Sequence, residues 1–288
     1  MQIIVSDSHS PTFNLAAEEY LLTERRNDIL FFYINTKSVI IGRNQNAFAE
    51  VNVSFCKQEG IKVIRRLSGG GAVYQDVGNI NFSFITGKEE KPLDVQWLLL
   101  VQSFFKNIGI QTTPGKRKDL YIHEEKITGT ALHITLNRQL FHGTLLYDVQ
   151  LQDLITALTP VNNISGKAVK SVRAKVTNIL SHHSSSPSTF EFLTQFVSFF
   201  SDYFSTQPIT LSLSEKEIIT QLQKNRYETW WWNWAQSSKS TLLQTVMWEA
   251  KPYELEICIE KGIVVSLSDN CPIPLQELFL GNHANQLF

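Results

Sequence analysis

The sequence has few cysteines, no long hydrophobic run and no excess of charge of one sign. Its three cysteines, Cys56, Cys258 and Cys271, are too few and too widely spaced for a disulfide framework or a CxxC metal site, and they suit a reducing compartment. Lysine and arginine together number 26 and aspartate and glutamate 27, giving a net charge of -1. The chain as a whole therefore lacks the basic surplus that general binding to nucleic acid requires.

The hydrophobic runs are also too short for a membrane segment. The longest, such as residues 95–101, fall far short of the roughly 20 residues that cross a bilayer. The amino-terminal segment lacks the basic stretch followed by an apolar stretch that marks a signal peptide. We therefore expect a soluble, monomeric protein of the cytoplasm, with neither a membrane nor a nucleic acid as its partner.

The composition is that of a globular protein with a substantial core. Hydrophobic residues make up 43% of the chain and charged residues 18%, and at roughly 150 residues per domain the length allows a large domain and a small one. Helix-forming residues over 14–25, behind Asn14 as a cap, precede a series of short β-rich runs. The predicted strands cover 31–34, 38–42, 61–66, 71–75, 80–86, 119–122, 126–134 and 141–149, and further helices cover 94–108, 150–158 and 190–204. The run NFSFI, at 81–85, alternates polar and apolar residues and so predicts a half-buried strand. The helix over 94–108 is apolar on most of its circumference, which predicts a position inside the structure.

We place a domain boundary before residue 208. The first domain then covers 1–207, and a short α+β accessory domain covers 208–288. Ser214 and Glu217 form a capping-box pattern that would open its first helix. Two or three strands follow, with a turn predicted at Lys261 and Gly262.

The segment RRLSGGGAVYQDVGNINFSF, at 65–84, carries the most informative pattern. Three consecutive glycines between strand-like runs let the backbone approach a ligand closely, because no Cβ intervenes. Arg65 and Arg66 add donors that suit a phosphate or a carboxylate. A flexible turn with two solvated arginines is the alternative interpretation. The spacing matches neither a P-loop nor a dinucleotide-binding fingerprint, since no GxxxxGK[ST] occurs and position 74 is tyrosine.

Three further segments hold residues that could contact an anionic ligand or its metal ion. Lys126 begins a strand-like run of small residues, and Asp119 could hold a divalent cation such as Mg2+. His142 precedes a glycine on another strand. A basic stretch over 166–176 could close over an anionic intermediate; its cations are Lys167, Lys170, Arg173 and Lys175. Taken alone, these features also suit a surface lysine, an ion-pair partner, a structural histidine and a solvated charged face.

The order of the motifs is more specific than any one of them, and it resembles the lipoate-protein ligase family. The motifs are GRNQN (42–46), RRLSGGGAVYQDVGNIN (65–81), KITGTA (126–131), FHGTLL (141–146) and KSVRAKVTN (170–178). The resemblance runs from about residue 14 to residue 180. WWWNWA, at 230–235, is similar to the aromatic segment that opens the accessory domain of that family.

The resemblance implies a fold and a reaction in two steps. The catalytic domain would be α/β (α+β), with a mixed twisted sheet flanked by helices as in biotin ligases. With Mg2+ as cofactor, the lipoate carboxylate would attack the α-phosphorus of ATP to give lipoyl-AMP and pyrophosphate. A lysine of an apo lipoyl domain would then accept the lipoyl group. Such acceptors are the E2 subunits of 2-oxoacid dehydrogenase complexes and the glycine cleavage H protein.

The resemblance also assigns residues to the site. Lys126 matches the essential lysine of the family, which touches both ATP and lipoate, and His142 would lie beside the acyl chain. Arg43 and Asn46 belong to a motif near the same pocket, and Asp119 stays a candidate Mg2+ ligand. The other predicted contacts are Arg66, Gly71, Ala72, Val73, Tyr74 and Asn79 with the adenylate, and Arg66, Ser68 and Gly70 with lipoate.

Two features depart from the family pattern. The family usually has histidine before the aspartate of the glycine segment, whereas this chain has Gln75 before Asp76. Glutamine can donate a hydrogen bond to a phosphate but does not titrate near neutrality, so we expect no general base at this position. The predicted accessory domain is short for the family, which leaves open whether it supports full adenylation.

Several alternatives share part of the pattern. An acyltransferase that moves octanoyl or lipoyl groups from an acyl carrier through a cysteine thioester needs an activated thiolate, and no cysteine lies in the motif segments. A lipoyltransferase that uses preformed lipoyl-adenylate would keep the same site. A non-catalytic lipoyl-carrier-binding protein is disfavoured by Lys126, Arg66 and the three glycines. A biotin ligase is disfavoured because the glycine segment is not of the GRGRRG type.

Overall fold

The chain folds into a mixed α/β structure, and the computed structural model describes residues 1–89, 93–161, 163–166 and 168–287. The strands are β1 (Gln2–Val5), β2 (Ile29–Ile34), β3 (Ser38–Ile41), β4 (Lys62–Arg65), β5 (Val73–Gln75), β6 (Asn79–Gly87), β7 (Thr113–Pro114), β8 (Leu120–Ile122), β9 (Glu125–Lys126), β10 (Thr128–Ile134), β11 (Arg138–Leu146), β12 (Asn163–Gly166), β13 (Ser240–Trp248), β14 (Lys251–Glu260) and β15 (Ile263–Leu267). The helices are α1 (Pro11–Thr23), α2 (Ala47–Glu50), α3 (Val53–Gln58), α4 (Asp94–Asn107), α5 (Leu151–Ala157), α6 (Thr189–Phe204), α7 (Leu213–Leu222), α8 (Trp230–Asn233), α9 (Ile273–Phe279) and α10 (Ala284–Leu287). A 3-10 turn covers Ile179–His182 and a π-helical turn Gln223–Tyr227.

A five-stranded sheet in the order β1-β2-β6-β11-β10 forms the centre of the fold. Strand β2 is buried on both faces, because its alternate side chains enter two different cores. Leu30 and Phe32 pack in the core that includes α4 and α6, whereas Phe31 and Tyr33 pack in the core that includes α1. This double burial explains why the run ILFFYI is apolar throughout instead of alternating with polar residues.

Strand β6 is also buried along almost its whole length, and this differs from the half-buried strand that its alternating pattern predicts. Two polar residues of β6 have buried polar partners in place of solvent. Asn81 accepts a hydrogen bond from Gln75, and Ser83 donates one to Glu18. The prediction is wrong because alternation shows which residues share a face, but not whether a polar face meets water or a polar interior.

Helix α1 begins at Pro11, before the predicted start at Asn14. The hydroxyl of Ser10 caps it by accepting a hydrogen bond from the backbone N–H of Phe13, and proline suits the first helical position. Asn14 is instead fully buried, and its side chain donates to Asn35. The predicted cap is wrong because Ser10 followed by proline is the stronger start of a helix.

Helix α4 has nearly the predicted bounds, but it lies at the surface and not inside the structure. Trp97, Leu98 and Phe105 are buried, while Val95 and Leu99 on the other side are about half exposed. An apolar sequence around most of a helix therefore did not imply burial on all sides here. Among the helices of the described ranges, none is long and apolar enough to cross a membrane.

Helix α7 is opened by a capping box two residues earlier than predicted. Ser212 and Glu215 exchange the capping hydrogen bonds, in place of the predicted pair Ser214 and Glu217. The segment SLSEKE offers two serines, each followed at the same spacing by a glutamate. The pattern alone therefore does not select between them.

Two small sheets lie beside the central one and carry the predicted site segments. The sheet β4-β3-β5 holds the glycine segment in the connection from β4 to β5. The sheet β7-β8-β9 ends at Lys126, which pairs with Tyr121 and also forms a bridge with Val176. The predicted strand over 126–134 is therefore two strands, β9 and β10.

The domain boundary before residue 208 stays a prediction, and the structure shows which contacts cross that position. Helix α7 packs against α1, and Arg25 forms a salt bridge of 2.7 Å with Glu215. Strand β12 pairs with β13 and so extends the C-terminal sheet, whose order is β12-β13-β14-β15. Lys261 and Gly262 form the turn between β14 and β15, which confirms the predicted turn.

Candidate active site

Two adjoining cavities lie between the central sheet, the glycine segment and the loop that follows β12. The first has a volume of about 390 Å3 and the second about 370 Å3. The residues common to both linings include Ala72, Val73, Lys126, Lys170 and Ser171. Lys126 therefore borders both cavities.

The glycine segment packs closely against the residue that follows β3. A Cβ at Gly42 would lie 2.1 Å from the carbonyl oxygen of Gly70, and Gly70 itself has a left-handed backbone with φ of 90°. Arg66 fixes the same loop, since its Nη2 donates to the carbonyl oxygens of Gly69 and Gly71 at 2.6 and 2.8 Å. The glycines therefore allow one backbone segment to approach another, and Arg66 holds the loop in that shape.

Arg65 and Arg66 are both buried and point to different parts of the protein. Arg65 is fully buried and lines neither cavity, whereas Arg66 lines the first. Burial lowers the pKa of each guanidinium to about 10; the nearby charge of Arg43 acts in the same direction on Arg65, and Glu18 opposes the shift of Arg66. Both side chains stay cationic near neutral pH. The alternative of two solvated arginines is therefore wrong, and only Arg66 can serve a cavity ligand.

A buried acid that the sequence did not single out organises one side of the first cavity. Glu18 on α1 is 3% exposed and accepts hydrogen bonds from Tyr33, at 3.0 Å, and from Ser83. Its Oε1 also lies 3.0 Å from Nδ1 of His142, and Nε2 of His142 lies 2.7 Å from Oγ of Ser68. Both ring nitrogens of His142 are therefore engaged by the protein.

The charge of Glu18 is stabilised inside the protein. Burial alone would raise the pKa of this carboxyl, but the charge of His142 and the hydrogen bonds from His142, Ser83 and Tyr33 hold it below its ordinary value. A pair of acidic residues inside the apolar stretch LAAEEYLL is the sequence feature that could have identified this position, because buried acids require partners.

The pairing of Glu18 predicts a pH dependence of stability. The folded-state pKa lies below the ordinary 4.5, so the ionised carboxylate stabilises the fold above that pH, and its contribution is lost as the pH falls through the folded-state value. For Glu18→Gln we expect the free energy of unfolding at neutral pH to fall by about 1–3 kcal/mol, the cost of unpairing buried polar groups. Its stability should then decrease less than that of the wild type on acidification. Urea unfolding from neutral pH to below pH 4.5 measures the loss of stability and its pH dependence.

The exposed Glu24, just after the same helix, supplies the control. Glu24→Gln should change stability little and keep the wild-type pH dependence. A Glu18→Gln protein that loses stability on acidification as steeply as the wild type would contradict the assignment.

Lys126 is held by a buried carboxylate. Its Nζ lies 3.0 Å from Oδ2 of Asp119, which also accepts a hydrogen bond of 3.0 Å from the Tyr121 hydroxyl. The backbone N–H of Lys126 donates to the carbonyl oxygen of Lys175 at 2.8 Å, so both ends of the residue are fixed. The ion-pair interpretation of Asp119 therefore agrees with the structure. Its role as a Mg2+ ligand stays a prediction, and the described residues contain no group of three or more His, Cys, Asp or Glu side chains placed to bind a metal.

The loop after β12 lies over the glycine segment. Oγ of Ser171 accepts a hydrogen bond of 2.9 Å from the backbone N–H of Ala72 and so ties the two segments together. Lys170 lines both cavities and Arg173 lines the second. Two basic residues of this stretch are thus placed at the cavities, as the hypothesis of a loop over an anionic ligand requires. Lys167 lies outside the described residues.

Most of the predicted adenylate contacts line the cavities, and one does not. Gly71 lines the first cavity, Tyr74 the second, and Ala72 and Val73 both. Asn79 lines neither: it is fully buried, and both polar atoms of its side chain lack a hydrogen-bond partner within the described part of the chain. Its amide therefore has unused capacity to donate and accept hydrogen bonds.

Gly70 lines the first cavity, but Ser68, Arg43 and Asn46 line neither. Ser68 instead accepts a hydrogen bond of 2.9 Å from Nε of Arg66. The guanidinium of Arg43 lies 4.2 Å from the ring centre of Trp232, and Asn46 caps helix α2. The motif GRNQN therefore joins the site to the aromatic segment of the C-terminal part.

Solved structures share this architecture. A crystal structure of lipoate-protein ligase A bound with ATP superposes with a TM-score of 0.70 at 25% identity, covering 81% of this chain and 97% of that chain. A bi-partite lipoate protein ligase from Thermoplasma acidophilum, from a study that includes its E2 lipoyl domain, gives a TM-score of 0.67 at 25% identity, covering 81% and 96%. The predicted α/β (α+β) fold of the biotin/lipoate ligase type is confirmed.

Sequence comparison then identifies the family within this fold. The family model of the lipoyl protein ligase A/B catalytic domain matches residues 10–201. The lipoate-protein ligase LplJ of Bacillus subtilis is 34% identical over 262 residues, which cover 88% of this chain and 79% of that protein. The chain belongs to the lipoate-protein ligase family.

Proposed function

We propose that this protein is an ATP-dependent lipoate-protein ligase. It activates lipoate to lipoyl-AMP, releasing pyrophosphate, and then transfers the lipoyl group to a lysine of an acceptor protein. The position of Lys126 in the wall shared by two adjoining cavities carries this proposal, because a reaction that joins an acyl group to a nucleotide needs a cation where the two meet. The relatives named as lipoate-protein ligases support it.

The linings of the cavities suit the two substrates. The first cavity has apolar walls from residues such as Leu15 and Ile40, with Arg66 and His142 as polar groups, and we assign it to the lipoyl chain. The second is bordered by the strand that carries Tyr74, and we assign it to the nucleotide. The carboxylate of lipoate and the α-phosphate of ATP would then meet at the shared wall.

Lys126 can stabilise the charge that develops in both steps. In the first step a carboxylate oxygen of lipoate attacks the α-phosphorus of ATP, the bond from this phosphorus to the bridging oxygen breaks, and pyrophosphate leaves. In the second step the acceptor amine attacks the acyl carbon, the bond to the AMP oxygen breaks, and the amine loses a proton. Both steps place negative charge at the shared wall, where a fixed ammonium stabilises it without reorganising.

Mg2+ would neutralise part of the phosphate charge of ATP when it is bound. This cation usually keeps several waters and takes only one or two protein carboxylates beside the substrate phosphates, so Asp119 could suffice as its protein ligand. Oδ2 of Asp119 is engaged by Lys126 and Tyr121, while Oδ1 is buried without a hydrogen-bond partner in the described chain. Asp119 lines neither cavity, so we propose that its main role is to position Lys126, and its role as a Mg2+ ligand rests on the unpartnered Oδ1 alone.

Asp119→Asn separates these two roles. The amide keeps the shape but loses the charge that holds the ammonium, so we expect kcat for adenylation to fall by about tenfold or more, as for the loss of one charge-assisted hydrogen bond. If kcat stays low at saturating Mg2+, Asp119 positions Lys126. If high Mg2+ restores kcat, Asp119 binds the cation. Unchanged kcat at low and high Mg2+ would contradict both roles.

The second substrate is a protein. A lipoyl domain of an E2 subunit is part of the lipoylation system described for the Thermoplasma acidophilum neighbour. We propose acceptors of the same class here, the apo lipoyl domains of 2-oxoacid dehydrogenase complexes or the glycine cleavage H protein. The cytoplasmic location and the monomeric state stay predictions.

The thioester alternative needs a reactive thiol at the cavities. Cys56 is 2% exposed in the core beside β3, and burial raises its pKa to about 12, which keeps it protonated at neutral pH. Burial also raises the pKa of Cys271. Within the described residues, neither of these nor Cys258 lines the two cavities. The geometry therefore favours the ligase.

Mass spectrometry of an acceptor protein distinguishes the candidates. We expect an apo lipoyl domain to gain the mass of a lipoyl group when it is incubated with this protein, lipoate and Mg-ATP. Modification only from preformed lipoyl-adenylate would indicate the lipoyltransferase, and modification from an octanoyl carrier without ATP the thioester enzyme. No modification under any of these conditions would favour a carrier-binding protein without activity.

A further inference from the structure

A row of five hydrogen-bonded polar side chains, which we call the amide relay, runs through the interior to the first cavity. Its members in order are Ser6, Asn14, Asn35, Gln75 and Asn81. Successive members are joined at 2.7, 2.8, 2.7 and 2.7 Å, and the relay ends where Nδ2 of Asn81 donates to the carbonyl oxygen of Tyr33 at 3.4 Å. Each of the four amides is at most 3% exposed.

Every hydrogen bond of the amide relay runs in the same direction. Each amide accepts through its oxygen from the member before it and donates through its nitrogen to the next. Turning one amide over would place two donors face to face on one side and two acceptors on the other, so the members fix one another's orientation.

The amide relay connects the elements that surround the first cavity. It starts before α1, passes through that helix and the end of β2, and reaches β5 of the small sheet and β6 of the central sheet. Gln75 and Asn81 line the first cavity, whereas Asn14 and Asn35 do not. The polarity of the cavity wall is therefore set partly by side chains that a ligand in this cavity does not touch.

We propose that Gln75 is a positioning residue for the acyl substrate, and that the amide relay fixes its orientation on the cavity wall independently of pH. This inference rests on the proposed function. A histidine at position 75 would behave differently from glutamine. A neutral imidazole could accept from Asn35 and donate to Asn81, but an imidazolium has two donors and no acceptor, so it would oppose the Asn35 amide. Glutamine has no such second state near neutral pH.

Two substitutions at position 75 are expected to respond to pH in opposite directions. Gln75→His should keep the relay when neutral and interrupt it when protonated, so its KM for lipoate should rise as the pH falls through about 6.5. Gln75→Glu has no donor for Asn81 when ionised and regains one on protonation, so its KM should be raised at neutral pH and fall toward the wild-type value on acidification. We expect each rise in KM to reach about tenfold, as for one buried hydrogen bond lost, with a smaller change in kcat.

The other charged and titratable groups near Gln75 are common to all the proteins compared. They are Tyr33, Arg66, Arg117, Lys126, His142 and Lys170 around the first cavity, Glu18 bonded to Tyr33 and His142, His9 bonded to the strand end before Asn35, and Asp76 next in the chain. Their titration contributes to the wild-type profile. The ratio of variant to wild-type KM at each pH therefore isolates position 75.

Asn35→Asp tests the relay away from the cavity. An ionised aspartate at this position cannot donate to Gln75, so we expect a raised KM for lipoate at neutral pH that recovers on acidification. Gln75→Met removes both hydrogen bonds without adding a titratable group, and its KM should be raised equally at every pH. The exposed Asn137 lies outside the relay, so Asn137→Asp should behave as the wild type.

The measurement is the lipoate KM of adenylation from about pH 4.5 to 8.5, chosen to bracket the imidazole pKa and that of a carboxyl raised by burial, with lipoate affinity by calorimetry as a second readout. Calorimetry on Asn35→Asp provides the test if a variant at position 75 does not fold. Opposite pH responses of Gln75→His and Gln75→Glu support the inference. If the wild type is active but the two variants share its pH profile, or depart from it in the same direction, the inference is overturned and the proposed function is not. A wild type that neither binds nor activates lipoate overturns the proposed function, and the inference with it.

Discussion

Replacing Lys126 by alanine is expected to lower the rate of lipoate adenylation by at least about 100-fold, the loss typical of removing one donor to a developing oxyanion. Lys126 lies in the wall shared by the two cavities, and its ammonium group is oriented by Asp119 at 3.0 Å. No other residue is held at that place in the same way, because Lys170 lies on the loop above and has no salt bridge within the described residues that would orient it. Lipoate-dependent exchange of pyrophosphate into ATP measures the first step directly.

Two control variants show whether the loss is specific to the position. Lys175 is a neighbour of Lys126 in the fold, where its carbonyl oxygen accepts a hydrogen bond from the Lys126 backbone N–H, but its side chain is 81% exposed. Lys175→Ala should therefore leave exchange close to the wild-type rate. Lys126→Arg keeps the charge but replaces a compact ammonium by a planar fork, so it should recover only part of the rate. Near-normal pyrophosphate exchange by Lys126→Ala would refute the assignment of the catalytic lysine.

The second step can be followed separately with chemically prepared lipoyl-AMP and an apo lipoyl domain. If one ammonium serves both steps, Lys126→Ala should also slow this transfer. Normal transfer beside slow adenylation would limit Lys126 to the first step. The comparison therefore tests the claim, made from the shared wall, that one group stabilises charge in both cavities.

The sequence predicted best those parts of the fold that local patterns determine. Glycine and charged residues mark the turn between β14 and β15, and apolar runs mark β2 and β3, so these elements lie where expected. At helix starts, errors arose where the sequence offered two candidate capping residues. Ser10 competes with Asn14 for the start of α1, and in α7 two serines share the capping spacing.

The residues at the two cavities were predicted in part, and those that were missed depend on contacts between distant segments. Lys126, Arg66 and the glycines were identified from motifs that lie within short stretches of sequence. Glu18 was not, because the partner that stabilises its charge, His142, lies more than a hundred residues away in the chain and no local pattern links the two. The amide relay is a similar case, since asparagine and glutamine at scattered positions are ordinary until the fold brings them together.

The neighbouring Arg65 and Arg66 show how strand geometry gives two identical residues different surroundings. Successive side chains of a strand point to opposite faces, so at the end of β4 one arginine turns to the first cavity and the other away from it. Arg65 enters the junction with the C-terminal segment, where Trp232 Nε1 donates to its carbonyl oxygen at 2.7 Å and Asn233 Oδ1 accepts from its backbone N–H at 3.0 Å. The sequence did not predict this junction, because it treated Arg65 and Arg66 alike as donors to an anionic ligand.

Replacing Arg65 by alanine is expected to destabilise the protein by about 3–5 kcal/mol, the range for removing a buried charged group from its partners. Its guanidinium donates to the carbonyl oxygens of Gly42, Arg43, Gln45, Trp232 and Asn233 and to Oγ of Ser237. Truncation leaves several of these oxygens buried without a donor, and each costs about 1–3 kcal/mol. Urea unfolding monitored by tryptophan fluorescence measures the change, since Trp232 lies at the junction.

Arg65→Lys and Arg25→Ala complete this test. Lysine keeps the charge but cannot supply the planar fork that reaches oxygens on both segments, so we expect most of the loss to remain. Arg25 forms a partly exposed salt bridge with Glu215, and its removal should cost less than about 1 kcal/mol. Wild-type stability of Arg65→Lys would mean that charge alone matters at this site. The expected failure of lysine follows from geometry: one guanidinium serves the loop after β3 and the aromatic segment at once, and so couples the loop beside the active site to the C-terminal part of the protein.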